Sequence, residues 1–168
     1  GLETAAEVAD GVFPIWMSPE SDVLMSSVQK GLDKGNKTTM DFDVAPFVTV
    51  FIGDDLDRCR MPIKGSMALY IGGMGAKGKN FYHDYATRLG YGDEATRIQD
   101  LYLAGKKAEA EAVVPNELLD AVALVGPHDR IRERLAPWKE AGKRGEVGSM
   151  LLGVPDPVIM ELLAKEML

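Results

Sequence analysis

The segment of residues 42–52 constrains the fold of this chain more than any other part of the sequence. It reads FDVAPFVTVFI and carries apolar side chains at both odd and even positions. Successive side chains of a strand point to opposite faces of the sheet, so both faces of this strand must be covered. Strands of this kind are typical of parallel sheets, in which helices pack on both faces. The segment therefore predicts an α/β fold built around a central parallel strand.

Two further short apolar runs, residues 12–17 and 147–152, predict additional strands. The resulting order is helix, strand, helix, strand, several helices, strand and helix, which predicts βαβ units with parallel pairing. Three parallel strands alone would leave two open edges. We expect them to belong to a larger parallel sheet, with the helical region before the third of them as an insertion.

Capping and breaking residues predict the helix bounds. Ser18-Pro19-Glu20 is expected to open a helix that Gly31 and Gly35, with Lys34 and Asn36, bring to an end. Pro62 is expected to divide the helix that follows Asp55 into a short piece and a second helix over 62–71. Further helices are predicted at residues 80–89, 93–104, 106–113, 116–123, from 126–127 to Gly142, and 158–168. The last of these is so rich in apolar residues that it requires a packing partner.

Composition narrows the classes of partner. The net charge of −7 argues against nucleic acid, whose phosphates require clustered Lys and Arg. The two His residues and the single Cys59 have no partners at metal-ligand spacing, so no metal site is expected. A single Cys fits a reducing cytoplasm. We found no signal peptide and no run of about 18 apolar residues, so no membrane partner is expected.

Four motifs carry a resemblance to a known family: ADGVFP at 9–14, PFVTVFIGDD at 46–55, MALYIGGMGA at 67–76 and ALVGP at 123–127. Together they resemble the C-terminal half of a luciferase-like monooxygenase, of the coenzyme F-420 (deazaflavin) oxidoreductase class. Such a family member would be a complete (β/α)8 barrel, which takes about 250 residues and no fewer than roughly 200. The resemblance therefore implies that residues 1–168 are a partial barrel domain that lacks its N-terminal half, with residue 1 as a cut inside a larger protein. Its three strands would be the last three of the (β/α)8 TIM barrel, with the helical region as an insertion beside the barrel mouth.

A glycine-rich, basic segment at residues 72–79 is the first candidate site. Backbone N–H groups at Gly72, Gly73 and Gly75 could approach an anion, and Lys77 could supply charge, so these four residues are predicted to bind a cofactor. The segment follows a helix rather than a strand, so it is neither a Walker A loop nor a Rossmann fingerprint. The alternative is a flexible turn between two helices.

Trp16, Ser18 and Arg60 are the candidate substrate-binding residues. Trp16 and Ser18 stand at the carboxyl end of a predicted strand, where barrels of this kind form their active sites. Alternatively, Trp16 fills the core, Ser18 only caps a helix and Arg60 is solvated. Asp54 and Asp55 could transfer protons, although N-capping of the next helix is favoured. No catalytic residue can be assigned.

The resemblance implies part of a flavin- or deazaflavin-dependent oxidoreductase that acts on a small organic substrate by hydride transfer or monooxygenation. Its cofactor would be coenzyme F-420 or FMN, and the isolated chain is expected to be inactive. The alternative is a non-catalytic half-barrel subunit or scaffold that assembles with a partner chain. Open strand edges and the apolar terminal helix predict a homo-oligomer, or association with the missing half-barrel, under either interpretation.

Overall fold

The structure is a computed structural model and describes residues 1–153 and 156–167. The chain forms two compact units. The α/β unit comprises Gly1–Asp54 and Ala121–Leu168, and the helical unit comprises Asp55–Asp120. In chain order the elements are α1 (Leu2–Val8), β1 (Gly11–Val12), α2 (Met25–Gly35), a 3-10 turn (Thr39–Asp41), β2 (Asp43–Val44), β3 (Phe47–Ile52), α3 (Leu56–Gly73), α4 (Phe81–Arg88), α5 (Gly92–Leu103), α6 (Lys107–Ala112), α7 (Asn116–Val122), β4 (Ala123–Gly126), α8 (His128–Lys143), β5 (Leu151–Leu152) and α9 (Pro157–Met167).

All recorded strand pairs are parallel, which confirms the predicted α/β class with parallel strands. β1 pairs with β2, and β3 lies between β4 and β5 in a three-stranded sheet. The described strands form these two small sheets, and the expected portion of a (β/α)8 barrel remains a prediction. The helical region lies between β3 and β4 in sequence and is a separate unit, rather than an insertion before the last strand.

The central strand is present but interrupted. Asp43 and Phe47 donate their amides to the carbonyl oxygens of Asp10 and Pro14, both at 2.9 Å. Between them, Pro46 has no N–H to donate and separates β2 from β3. On the other edge, the Leu151 amide donates to the Pro46 carbonyl oxygen at 2.9 Å. The segment therefore has strand partners on both edges, which fits the predicted central parallel strand.

The flanking strands differ from the prediction. β1 and β5 are two residues long, shorter than the predicted runs 12–17 and 147–152. β4 was missed, because residues 116–123 were predicted to be helical and 126–127 to open the next helix. All four residues of β4 are buried. An apolar run this short cannot be distinguished from the end of a buried helix by periodicity.

Two helix predictions were wrong. Ser18 does not cap α2, which begins at Met25 with Leu24 in the N-cap position and no side-chain cap. Instead, the Ser18 carbonyl oxygen accepts a 3.3 Å hydrogen bond from the Ser21 amide. Pro62 does not divide α3, which is continuous over 18 residues. A buried stripe holds α3 together across the proline; its members are Cys59, Ile63, Met67 and Ile71.

Two glycines allow α1 to pack closely on α2. A Cβ on Gly31 would overlap the Glu3 carbonyl oxygen and lie 2.7 Å from the Ala6 Cβ, and one on Gly35 would lie 2.6 Å from the Glu7 carbonyl oxygen. Both glycines lie within α2, and Asn36 ends the helix in the left-handed conformation, with φ of 53°. The helix therefore ends where the sequence predicted, at Gly35 and Asn36, and both Gly31 and Gly35 also serve helix packing.

We expect Gly31→Ala to lower the free energy of unfolding by about 1–3 kcal/mol, because the added methyl has no room between the two helices. Gly142→Ala in α8 is the matched control. Its Cβ would meet only the Val147 carbonyl oxygen at 3.7 Å, so it should stabilise the helix by about 0.5–1 kcal/mol. Urea unfolding of both variants measures the difference, and equal effects would contradict the close approach of α1 and α2.

Candidate functional site

In parallel α/β folds, ligands bind beyond the carboxyl ends of the strands. In the α/β unit, a cavity of about 130 Å³ lies alongside the first five residues of β3 and reaches the carboxyl end of β5. It is lined by Phe47, Val48, Thr49, Val50, Phe51, Leu152, Gly153 and Ile159. Apart from the Thr49 hydroxyl, the lining side chains are apolar. Such a cavity suits a small apolar group and provides no charge for an anion.

Trp16 and Ser18 follow β1 in the same unit, and both are buried. Burial of Trp16 fits the alternative that its ring fills the core. Neither residue is among those that line the 130 Å³ cavity. Their predicted contact with a substrate therefore remains a prediction, and it would require this part of the unit to open.

Arg60 is in the helical unit and is paired with Asp120. Its Nη2 lies 2.6 Å from Asp120 Oδ2 and its Nε lies 3.2 Å from Asp120 Oδ1, a two-point contact. The two side chains are 12% and 14% exposed. The hydrogen bond with Asp120 raises the pKa of the Arg60 guanidinium above its usual value. Arg60 is thus not a solvated cation, and an anionic substrate would have to displace Asp120.

The helix α3 ends in the first two glycines of the glycine-rich segment. A Cβ on Gly72 would overlap the Cβ of Tyr102 on α5, and a Cβ on Gly73 would lie 2.6 Å from Cε1 of Tyr102. These glycines allow α3 and α5 to approach closely, which accounts for them without a ligand. Their role in cofactor binding, predicted from sequence, remains a prediction.

Asn80 organises the rest of this segment and was not identified from the sequence. Its buried Nδ2 donates to the carbonyl oxygens of Tyr70 and Ile71, both at 2.9 Å, at the end of α3. Its Oδ1 accepts from the amides of Tyr82 and His83 at 2.9 and 3.2 Å, as the N-cap of α4. An Asn immediately before a helix is a recognised N-cap signal, but the two bonds that Asn80 donates to α3 depend on the tertiary fold.

The turn from Gly75 to Lys79 is the part of the segment that could still meet an anion. A Cβ on Gly75 would lie 2.7 Å from the Lys79 carbonyl oxygen, so the turn is tight. Lys77 forms an ion pair with Asp100, and the two side chains are 64% and 53% exposed. An exposed ion pair contributes little free energy, so Lys77 could exchange Asp100 for another anion at small cost.

The remaining candidates have structural roles or none. Asp55 accepts a 3.1 Å hydrogen bond from the Arg58 amide, which confirms it as the N-cap of α3. The thiol of Cys59 is buried.

Among residues 1–153 and 156–167, no group of three or more His, Cys, Asp or Glu could hold a metal ion. No helix in that part of the chain is long and apolar enough to cross a membrane.

We expect Gly72→Ala to destabilise the packing of α3 on α5 by about 1–3 kcal/mol, since the methyl would overlap Tyr102 close to its backbone. Gly65→Ala, in the same helix, is the control: its Cβ would meet only the Glu111 carboxyl group, at 3.5–3.8 Å, so a gain of about 0.5–1 kcal/mol is expected. Denaturant unfolding distinguishes them. A neutral Gly72→Ala would leave the glycine without a packing role.

Asn80→Ala should cost about 2–4 kcal/mol, because it leaves buried carbonyl and amide groups without partners. Asn80→Asp is the sharper variant, since it retains the two bonds to the α4 amides and loses the two donated to α3. We expect hydrogen exchange to accelerate at the end of α3 in both variants and at the start of α4 only in Asn80→Ala. Identical exchange patterns in the two variants would refute this division of roles.

Comparison with known proteins adds to this geometry. Residues 1–145 match the family model of the luciferase-like monooxygenases. A putative coenzyme F-420-dependent oxidoreductase from Mycobacterium tuberculosis is 35% identical over 144 residues, covering 82% of this chain and 41% of the relative. The chain thus spans about two fifths of that relative's length.

A solved structure shares the fold. The coenzyme F-420-dependent tetrahydromethanopterin reductase from Methanopyrus kandleri superposes with a TM-score of 0.65 at 20% identity, covering 98% of this chain and 46% of that one. At this identity the likeness concerns the fold alone. Taken with the family match over most of its length, the parallel α/β architecture completes the assignment: this chain belongs to the luciferase-like monooxygenase family.

Proposed function

We propose that the chain is part of a coenzyme F-420-dependent oxidoreductase that transfers a hydride to or from a small organic substrate. The observation that carries this proposal is the 35% identity to a relative named as a putative oxidoreductase of that kind. In such an enzyme the cofactor carries the hydride, and the protein supplies position and electrostatics. Coenzyme F-420 is preferred to FMN because it is named for both the relative and the solved structure.

The cavity beside β3 does not fit a whole cofactor. Its volume is about 130 Å³, whereas pockets for drug-sized ligands measure about 300–1,000 Å³. Its lining is also almost entirely apolar, so it provides no partner for a phosphate or a carboxylate. We therefore propose that these residues form one apolar wall of a site, and that other parts of a longer polypeptide or a partner chain complete it.

Charged groups of the cofactor require cations. Of the two candidate cations, Lys77 and Arg60, Lys77 has the ion pair that is broken at the lower cost. Its ion pair with Asp100 is exposed, whereas the pair of Arg60 with Asp120 is largely shielded from solvent. Displacing Asp120 would leave its carboxylate partly buried and unpaired, which is costly. We propose that Lys77 contacts an anionic group of the cofactor and that Arg60 meets the substrate only if Asp120 is displaced.

The test is titration of coenzyme F-420, followed by its fluorescence, into residues 1–168 alone and into the same chain joined to the remainder of a family barrel. We expect affinity to be at least about a hundredfold higher for the completed protein. A parallel titration with FMN decides between the cofactors. Tight F-420 binding by the isolated chain would contradict the proposed division of the site. Binding by neither form would favour the alternative, a non-catalytic half-barrel scaffold.

Lys77→Gln in the completed protein should weaken F-420 binding by about tenfold, because it removes a charge-assisted contact. Lys106→Gln is the matched control, since Lys106 is also exposed in the helical unit and paired with a carboxylate, that of Glu109 at 3.3 Å. Equal affinities of the two variants would exclude Lys77 from the cofactor site while leaving the family assignment intact.

A further inference from the structure

A second pocket of the α/β unit, of about 430 Å³, lies between α8, α9 and the segment before β5. We call it the α8–α9 pocket. Its lining combines apolar side chains with charged and polar ones: Trp138, Val147, Met150, Met167, Lys139, Lys143, Ser149 and Glu166. Pockets that hold small molecules measure about 300–1,000 Å³ and combine an apolar lining with a few polar groups. The α8–α9 pocket therefore has the size and the lining of a small-molecule site.

The pocket is at the amino end of the strands. Residues 147–150 come directly before β5, and the lining residues of α8 and α9 belong to the last turns of these helices. A helix that joins two parallel strands runs from the carboxyl end of the first to the amino end of the second, so α8 ends near the start of β5. Reactions in such folds take place at the opposite, carboxyl end. The pocket is therefore separate from the site of the proposed function.

Elements of this chain bound the pocket on both sides. Arg132 Nε on α8 donates to Glu166 Oε1 on α9 at 2.8 Å, so a residue that lines the pocket joins the two helices. Trp138, which also lines it, is only 3% exposed. The pocket thus lies between two neighbouring helices, rather than on an open strand edge that further strands would extend.

The two lysines of the pocket are held loosely. Lys139 Nζ lies 3.9 Å from Glu166 Oε2, beyond hydrogen-bond distance, whereas Arg132 occupies the other oxygen of that carboxylate. Lys143, one turn later on the same face of α8, is paired with Glu140 at 2.7 Å, and these two side chains are 70% and 58% exposed. Because so exposed an ion pair contributes little free energy, both ammonium groups can turn to another anion at small cost.

We propose that the α8–α9 pocket binds a small organic acid. Its carboxylate lies between Lys139 and Lys143, and its apolar body packs on Trp138 and Met150. The Ser149 hydroxyl already donates to Asp43 Oδ2 at 3.2 Å, which places a negative charge on that side, so the carboxylate must lie on the side of the lysines. This inference does not rest on the proposed function, and a failed titration with coenzyme F-420 leaves it unchanged.

Titration of phenylpropionate into the full chain tests the proposal. The chain has two Trp residues, whose indole N–H signals are followed by NMR. Trp138 lines the pocket and Trp16 does not, so we expect a saturable shift of the Trp138 signal alone, with a Kd of about 1 mM or below. Phenylpropionamide, which lacks the charge, and acetate, which lacks the apolar body, should each bind at least about tenfold more weakly.

The double variant Lys139→Gln with Lys143→Gln should bind phenylpropionate at least about tenfold more weakly, because both charge-assisted contacts are lost. Lys30→Gln on α2 is the matched control, since Lys30 is also an exposed lysine on a helix of the α/β unit and does not line the pocket. Lys139 and Lys143 are 37% and 70% exposed, so the double variant should fold, which circular dichroism checks.

Four results would overturn the proposal. A Trp138 signal that does not move would mean that the pocket binds no such acid. Equal affinities for the acid and its amide would exclude recognition of the charge, and equal effects of the double variant and Lys30→Gln would place the anion elsewhere. Binding that disappears when the chain is joined to the remainder of a family barrel would mean that another part of the polypeptide occupies the pocket.

Discussion

The backbone of the β2–β3 segment is the constraint on which the α/β unit depends. Each recorded strand pair includes either β2 or β3. Parallel strands cannot be joined by a tight turn, so each partner returns to this segment only after a helix or a longer connection. The helix α2 connects β1 to β2, and α8 connects β4 to β5; α1 packs on β1 and α8 on β4. Loss of the central segment would leave every other strand without a recorded pair.

Glycines at helix contacts and one buried asparagine organise the remainder. Gly31 admits α1 against α2 in the α/β unit, and Gly72 admits α5 against α3 in the helical unit. At the end of α3, Asn80 satisfies both the last carbonyl groups of one helix and the first amide groups of the next. Residues that look like ligand-binding or helix-ending signals in the sequence therefore have packing roles in the structure. A ligand role for the remaining turn rests on Lys77, whose carboxylate partner is exposed and readily displaced.

Local sequence signals predicted the helices and their caps better than they predicted the tertiary contacts. The four helices of residues 80–123 were predicted to within two residues of their bounds, because Gly and Pro punctuate them. Asp55 was also identified correctly as an N-cap, since a capping bond involves only the next turn. The uninterrupted course of α3 through Pro62 was not predictable locally, because buried side chains on both sides of the proline hold the helix. Nor could the sequence show that Arg60 pairs with Asp120, sixty positions away.

By itself the sequence determined the α/β class, the parallel central strand and the family. Apolar periodicity and short motifs are local in sequence, so they can be recognised without knowing the tertiary contacts. Only the tertiary structure decided that β4 is a strand, that Gly72 and Gly73 serve helix packing, and that Arg60 is engaged by a carboxylate. The physical reason is the same in each case: burial, close approach and ion pairing are properties of residues distant in sequence, and no local pattern specifies which of them will meet.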